Sequence, residues 1–361
     1  MNIEFESARK RDRRYRTGVS LHSHTNHSKE RLSFVYQYAK DVPLLRTLVA
    51  RAERQYRERH NGAALDLNRA WWTPPLAPRD AWKLETSHIE DRFGLKALVS
   101  LSDHDDIEAG MSLCVLSECR NTPVSVEWSV PYGNTFFHLG VHNLPSDLAR
   151  EMMARFAAVT ADPTPEGIAS TLDWINEEPD TLVVFNHPCW DENRVGGAIH
   201  HDAVRSFIAA YGHWLHAVEL NGLRPWAENR EAVEFAGEIG RPIISGGDRH
   251  ALEPNVILNL TNANSFAAFV DEIKNGVSRV FVTDQYHEPF KIRILQSIAD
   301  VLHGRWTDRV FYLCDDGSVR SLTELFAKRK PTAVQIFTGG IHVLRHGVSI
   351  LRPFTPRTVT T

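Results

Sequence analysis

Short β-like runs alternate with helix-length segments along most of this chain, and this alternation limits the possible folds more than any other feature. The runs predicted as strands are "GVSLHSH", "ALVSLSDH", "PVSVEWSV", "TFFHLGVH", "TLVVFNHP", "HAVELNG", "RPIISGGDRH" and "VILNL". Segments with helical spacing lie between most of them, for example residues 148–158 and 228–239. Strands separated by helices in this way indicate repeated βα units and an α/β fold.

The bulk composition is that of a globular protein with a buried core. A length of 361 residues suits one large domain with additions, or two domains. Hydrophobic and charged contents of 42% and 24% are ordinary for this class. The formal charge of −4 gives no general attraction to nucleic acid or membrane, and no apolar run is long enough to cross a bilayer. The four cysteines match neither a Cys-x-x-Cys metal site nor a disulfide framework, and the N-terminus lacks the apolar stretch of a secretory signal. We therefore expect a cytoplasmic protein.

Three further regions surround or interrupt the βα pattern. Residues 1–16 are a basic arm, interpreted as a solvated tail, with contact to anions or nucleic acid as the alternative. Residues 17–285 are predicted to form the main domain, interrupted at about residues 31–95 by a helical insertion. Residues 286–361 are predicted to be a C-terminal appendage.

The insertion contains the basic helical stretch "LLRTLVARAERQYRERH" and the Trp- and Pro-rich loop "AWWTPPLAPRDAW". Its Trp and Arg side chains could overhang a site and grip a nucleotide. The alternative is an apolar cap or a dimer surface that uses the Trp side chains in packing. The oligomeric state stays open.

Metal-binding residue types stand at or near the end of most predicted strands. These residues are His22, His24, Asp103, His104, Glu127, His138, His142, His187, Glu219, Asp248 and His250. In a parallel βα barrel the C-terminal ends of the strands meet at one face, where the active site is built. A mixed set of imidazoles and carboxylates suits borderline transition metals, and this set is large enough for two or three ions. One residue such as His142 is equally explained as a core histidine, but burying the whole set without partners would be too costly.

In chain order, the motifs "LHSHTNHS", "SLSDHDDIEAG", "VEWS", "FHLGVH", "NHP", "VELNG" and "SGGDRH" resemble those of the polymerase and histidinol phosphatase (PHP) superfamily of metal-dependent phosphoesterases. They cover about residues 17–255. The resemblance implies a distorted (β/α)7 barrel, here with a helical insertion and a C-terminal extension.

The resemblance also implies roles for individual residues. The ligands of a first metal would be His22, His24, Glu127 and Asp248. Glu127 would bridge to a second ion, completed by His138 and His187, while His104 and His250 would hold a third where one is present. Asp103, Asp105 and Glu219 would orient ligands or accept protons. The first motif departs from the family pattern at Lys29 and Glu30, so that Glu30 is a candidate replacement ligand and Lys29 a candidate phosphate contact.

The implied reaction is hydrolysis of a phosphoester by metal-activated hydroxide at a two- or three-metal site holding Mn, Zn or Fe. The expected catalytic residues are Asp103, Glu219 and Arg249. Arg249 and Arg224 are candidate phosphate-binding side chains, with a structural role as the alternative, and His142 is a candidate proton donor. The expected substrate is a phosphorylated small molecule, a nucleotide or a short nucleic acid. Two alternative functions stay open: an amidohydrolase-type C–N hydrolase and a non-catalytic metal-binding accessory domain.

Overall fold

The computed structural model of the chain describes residues 3–6, 14–41, 43–287, 293 and 309–325. The predicted basic arm and C-terminal appendage lie largely outside these residues. The described chain is a mixed α/β protein with three sheets. It divides into two compact units: residues 1–28 with 76–290, and residues 29–75 with 291–361. Within the described part, no helix has both the length and the apolar character needed to cross a bilayer.

The secondary structure follows the predicted alternation of strands and helices. The strands are β1 (Ile3–Phe5), β2 (Thr17–Ser20), β3 (Glu30–Arg31), β4 (Ala70–Trp72), β5 (Lys96–Val99), β6 (Val124–Tyr132), β7 (Thr135–Leu144), β8 (Leu182–Asn186), β9 (Ala217–Asn221), β10 (Ile243–Gly246), β11 (Ile257–Thr261), β12 (Val280–Val282), β13 (Val310–Leu313) and β14 (Val319–Ser321). The helices are α1 (Phe34–Asp41), α2 (Pro43–Arg59), α3 (Pro78–Ser87), α4 (Glu108–Leu113), α5 (Ala149–Ala161), α6 (Pro165–Glu177), α7 (Gly197–Tyr211), α8 (Trp226–Glu238), α9 (Phe266–Lys274) and α10 (Leu322–Leu325).

The larger unit contains two five-stranded sheets, in the orders β1–β12–β11–β2–β5 and β10–β9–β8–β7–β6. The strands β2 and β5 are parallel, and so are β8, β9 and β10. In contrast, β7 is antiparallel to both of its neighbours. Isolated parallel bridges, Ser23–Arg249 and His104–Glu127, connect the two sheets.

All eight predicted strands are present, but the two runs between residues 124 and 144 form a hairpin instead of two βα units. The turn has only two residues between Tyr132 and Thr135. Its first residue, Gly133, has a φ of 59°. Glycine adopts this left-handed conformation without the steric penalty of a side chain, which allows so short a connection. The hairpin brings Glu127 and His138 onto adjacent strands.

The main core of the larger unit packs helices against the sheet that contains this hairpin. In α5, Met152, Phe156 and Val159 recur at the spacing of one helix face and are all buried. The Phe156 ring stacks on Trp128 of β6, with ring centroids 4.7 Å apart. This packing fixes the sheet from one face and leaves the strand ends to carry polar side chains.

The smaller unit is built on the antiparallel sheet β14–β13–β4–β3. Trp72 of β4 pairs with Val310 of β13, so the predicted insertion and the predicted appendage contribute to the same unit. The predicted basic helix is α2, whose Tyr56 packs in the core of this unit. The side chains of Leu44, Leu45 and Leu48 are outside the described set.

The last part of the predicted insertion packs in the larger unit. Residues 76–95, which include α3, belong to the larger unit and not to the smaller one. The physical reason is packing, since Ala81 of α3 is fully buried in a cluster with Val99 and Leu101.

Candidate metal centre

Eight of the nine predicted metal ligands lie in the larger unit. They are His22, His24, His104, Glu127, His138, His187, Asp248 and His250. All except His104 and His250 are buried. Six of the eight follow the ends of strands, whereas Glu127 and His138 lie within the hairpin strands β6 and β7 and not at their ends as the sequence predicted. The ninth, Glu30, belongs to the smaller unit, where it pairs with Trp72, and its role as a ligand stays a prediction.

The Glu127 carboxylate is faced by imidazoles at both of its oxygens. Its Oε2 lies 3.0 Å from His22 Nε2 and 3.2 Å from His104 Nδ1. Its Oε1 lies 3.1 Å from His187 Nε2 and 3.5 Å from His138 Nδ1. A carboxylate with nitrogen donors on both sides has the arrangement needed to bridge two ions.

Asp248 is the second carboxylate of the cluster that several imidazoles approach. Its Oδ1 lies 3.4 Å from His24 Nε2 and 3.7 Å from His22 Nε2. It also lies 3.4 Å from His250 Nδ1. Three groups within the larger unit bring their donor atoms within 4.8 Å of one another: His22 with His24 and Asp248, His22 with Glu127 and His187, and His104 with Glu127 and His138.

The donor atoms fit a bound divalent cation. His22 Nε2 and Glu127 Oε2 are buried and, although they lie 3.0 Å apart, neither makes a hydrogen bond of acceptable geometry among the described residues. Leaving buried polar atoms unsatisfied is costly, and a cation between them would satisfy both. Imidazole and carboxylate together suit zinc, iron and manganese.

The charges of the cluster also favour a cation. Burial alone would raise the pKa of the Glu127 carboxyl, but the surrounding His22, His104 and His138 outweigh this effect and hold the pKa well below its usual range. The same balance of burial against nearby histidines lowers the pKa of Asp248. Both carboxylates are therefore ionised at neutral pH.

Three of these residues adopt a backbone conformation that side chains disfavour. The φ angles of His22, His187 and Asp248 are 61°, 26° and 52°. Non-glycine residues in this region cost free energy and concentrate at functional sites, where the surrounding structure holds them. Here each of the three residues comes within two positions of the end of a strand, and the left-handed turn redirects its side chain into the cluster.

Glu219 of β9 contacts two of the ligand candidates, His22 and His187. Its Oε1 lies 2.5 Å from His22 Nδ1, and its Oε2 accepts a hydrogen bond of 2.8 Å from the His187 backbone N–H. With Nδ1 directed at Glu219, His22 presents Nε2 to Glu127, which is how a carboxylate partner fixes the tautomer of a metal-binding histidine. A Cβ atom on Gly246 would overlap the Glu219 carboxylate, so the first "GG" glycine leaves room for it.

Asp103 and Asp105 act on the backbone around the cluster. The Asp103 carboxylate accepts hydrogen bonds from the N–H and the hydroxyl of Thr25, directly after His24. Burial raises the pKa of Asp103 to about 6. The Asp105 carboxylate accepts from Ser129 N at 2.8 Å. The described hydrogen bonds of both residues therefore brace loops that carry ligand candidates.

Arg249 is placed differently from a phosphate-binding arginine. Its guanidinium is buried and donates to Glu85 Oε1 at 2.9 Å, to the Ala251 carbonyl at 2.9 Å and to the His24 carbonyl at 3.1 Å. These contacts join the loop of the first motif to the loop of the last. Glu85, on α3, was not found from the sequence, because it lies in the stretch assigned to the insertion and belongs to no motif.

His142 is also placed differently from a proton donor. It is buried, and its Nδ1 lies 2.8 Å from Ser100 Oγ. Burial lowers its pKa to about 3. The ring is therefore neutral near pH 7 and carries no imidazolium proton to give.

Comparisons with known proteins leave the family of this chain open. No protein-family model matches the chain, and no curated protein matches it. The solved structures with some similarity include PsfC from Pseudomonas syringae, with 12% identity and a TM-score of 0.41 over 79% of this chain and 97% of that one. They also include a candidate metal-dependent phosphoesterase from Bifidobacterium adolescentis, with 16% identity and a TM-score of 0.35 over 55% and 91%. An amidohydrolase from Chromobacterium violaceum has 15% identity and a TM-score of 0.33 over 64% and 87%. Similarities at this level assign neither a family nor a function to this chain.

Proposed function

We propose that this chain is a PHP-type phosphoesterase that hydrolyses a phosphomonoester, a nucleotide or a short oligonucleotide with two or three divalent ions. The observation that carries the proposal is the Glu127 carboxylate, buried among five histidines that approach both of its oxygens. Paired metal sites that share such a ligand, with ions about 3.5–4 Å apart, are common in enzymes that displace groups from phosphorus.

The strand pairings support a distorted (β/α)7 barrel as the scaffold. The strand β2 pairs with β5, and the bridge His104–Glu127 leads from the end of β5 to β6. The order β6–β7–β8–β9–β10 follows, and the bridge Ser23–Arg249 leads back to the end of β2. Both bridges lie at the end of the sheets where the ligand candidates stand, as expected for a barrel whose site is at the C-terminal face.

The contacts of each residue suggest its role in the proposed reaction. Bound ions would supply Lewis-acid stabilisation of phosphoryl charge and lower the pKa of a water molecule. Glu127 and Asp248 would contribute the negative charge that retains the ions. Glu219 would keep His22 in the tautomer and orientation that a ligand needs, and Asp103 would hold the turn after His24.

The experiment is a metal analysis of the purified protein combined with an activity panel. The panel contains phosphomonoesters, dinucleotides and short oligonucleotides, with amides and lactams as the competing class, each with Mn²⁺, Zn²⁺ and Fe²⁺. We expect bound metal and hydrolysis of a phosphoester, both lost in Asp248→Asn. Cleavage of amides alone would favour the C–N hydrolase, and metal without any turnover would favour the accessory domain.

A further inference from the structure

A shallow cleft opens beside two of the ligand candidates. His138 and His187 form part of its wall, and the aromatic side chains Phe136 and Trp190 form another part. Phe136 and Trp190 are both partly exposed. The cleft thus combines two histidines of the proposed metal centre with aromatic side chains, and Glu192 also lines it.

The Trp190 ring is held in a defined orientation. It lies edge-on to His187, with ring centroids 5.2 Å apart and an angle of 75° between the rings. The guanidinium carbon of Arg224 lies 4.0 Å from the centroid of the Trp190 ring, which is a close cation–π contact. The Arg224 backbone is itself fixed, because the Tyr286 hydroxyl donates to its carbonyl at 2.9 Å. An indole fixed in this way loses little freedom when a ligand stacks against it.

Phe136 supplies the second aromatic surface. It stands at the start of β7, and its ring centroid lies 5.0 Å from that of His138. The two aromatic side chains therefore flank the two histidines, one from β7 and one from the loop after β8. Aromatic walls of this kind favour flat, unsaturated groups, because stacking acts on a π-face and does not require a particular pattern of hydrogen bonds.

We propose that this cleft is a subsite for a planar aromatic group of the substrate, a nucleobase or an aryl ring, attached to the group that reacts at the metal centre. The subsite would select substrates that carry a flat aromatic group, and the reaction of the attached group rests on the proposed function. Nucleobase and aryl ring share the chemistry of a flat π-surface, and the choice of substrates separates them.

The first test measures binding without turnover, so that it stands apart from the proposed activity. Adenosine and ribose are titrated into the protein as purified, by isothermal calorimetry. We expect adenosine to bind and ribose not to bind. In Trp190→Leu the adenosine affinity should fall about five- to hundredfold, in line with the usual contribution of one base–aromatic stack. Trp174→Leu is the matched control, since Trp174 lies on α6 in a separate groove with Glu151 and Arg155. Trp190→Phe keeps a ring and should retain most of the affinity.

The second test measures kcat/KM for adenosine monophosphate, 4-nitrophenyl phosphate and glycerol phosphate. We expect a preference for one or both aromatic substrates in the wild type and Trp174→Leu, and its loss in Trp190→Leu. Equal binding of ribose and adenosine, or Trp190→Leu indistinguishable from wild type, would overturn the subsite. If adenosine binds through Trp190 while no phosphoester is cleaved, the proposed function fails and the subsite stands.

Discussion

Arg249 Nε donates to Glu85 Oε1 over 2.9 Å, and this buried ion pair joins helix α3 to the loop that carries the ligand candidates Asp248 and His250. Arg249 lies between Asp248 and His250 and also donates to the His24 carbonyl. Glu85 accepts from Ser20 Oγ at 2.9 Å. The pair therefore links the loop after β10, the strand β2 with its following loop, and helix α3.

The two pKa shifts show what this pair costs. Burial raises the pKa of Glu85 in spite of the neighbouring Arg249, and burial lowers the pKa of Arg249 in spite of Glu85. For both partners, the loss of hydration outweighs their mutual attraction. Replacing a buried ion pair of this kind by well-packed apolar side chains is often neutral or stabilising, whereas removing one partner alone is strongly destabilising.

Removal of both partners should cost less stability than the two single removals added together. Glu85→Leu or Arg249→Met alone leaves a buried charge without its partner and should lower the free energy of unfolding by about 3–5 kcal/mol. The double variant should lose clearly less than the sum of the two single variants. Urea denaturation of the four proteins measures the coupling, and strictly additive losses would contradict it.

Glu219 should control metal affinity through His22. Glu219→Ala removes the acceptor at Nδ1, so we expect metal affinity to fall about 10- to 100-fold. Glu219→Gln keeps an oxygen that can accept and should lose less. Competition with a chelator measures both constants. Equal affinity in Glu219→Ala and wild type would show that Glu219 does not position the ligand.

Gly246→Ala should disturb the same carboxylate without changing any polar group. The added Cβ would overlap Glu219, so that the carboxylate must move away from His22. We expect a loss of both metal affinity and stability. Gly237→Ala in α8 is the matched control, because no atom lies within 4 Å of the added Cβ and alanine favours helices. Similar metal affinity in Gly246→Ala and Gly237→Ala would contradict this account.

The sequence predicted the strands and the polar residues that follow them because both depend on local pattern. Runs such as "TLVVFNHP" contain a strand and a polar end in a few residues, and β8 with His187 lies there. The hairpin of β6 and β7 was not predicted, since pairing direction depends on which strands become neighbours.

The role of Glu85 could not be read from the sequence for a related reason. Its partners Ser20, Arg249 and Asn255 are distant in the chain, and only the assembled fold brings them together. The structural role of Arg249 could not be predicted either. Its position between two ligand candidates in the sequence also fits a phosphate contact, and only the assembled fold shows that Arg249 is buried.

His216 should make the fold sensitive to acid. Burial, assisted by Lys274 and Arg241, lowers its pKa to about 3, whereas the unfolded chain has a histidine pKa of about 6.5. Between these values the unfolded state binds more protons, so the stabilisation is complete above pH 6.5 and is lost as the pH falls towards 3.

His216→Asn removes this titration and keeps an acceptor for the Val183 N–H, which donates to His216 Nδ1 at 2.9 Å. Between pH 7.5 and pH 5 the wild type should lose about 1–2 kcal/mol more stability than His216→Asn. Denaturation curves at the two pH values give the difference. Equal losses would mean that His216 does not contribute to acid sensitivity.

Anomalous X-ray diffraction from crystals grown with Mn²⁺ or Zn²⁺ tests the central claim most directly, because it locates ions independently of activity. We predict at least two anomalous peaks, one on each side of the Glu127 carboxylate and about 3.5–4 Å apart, with the peaks lost or weakened in Glu127→Gln. Metal found only elsewhere on the protein, or equal peaks in Glu127→Gln, would contradict a metal centre bridged by Glu127.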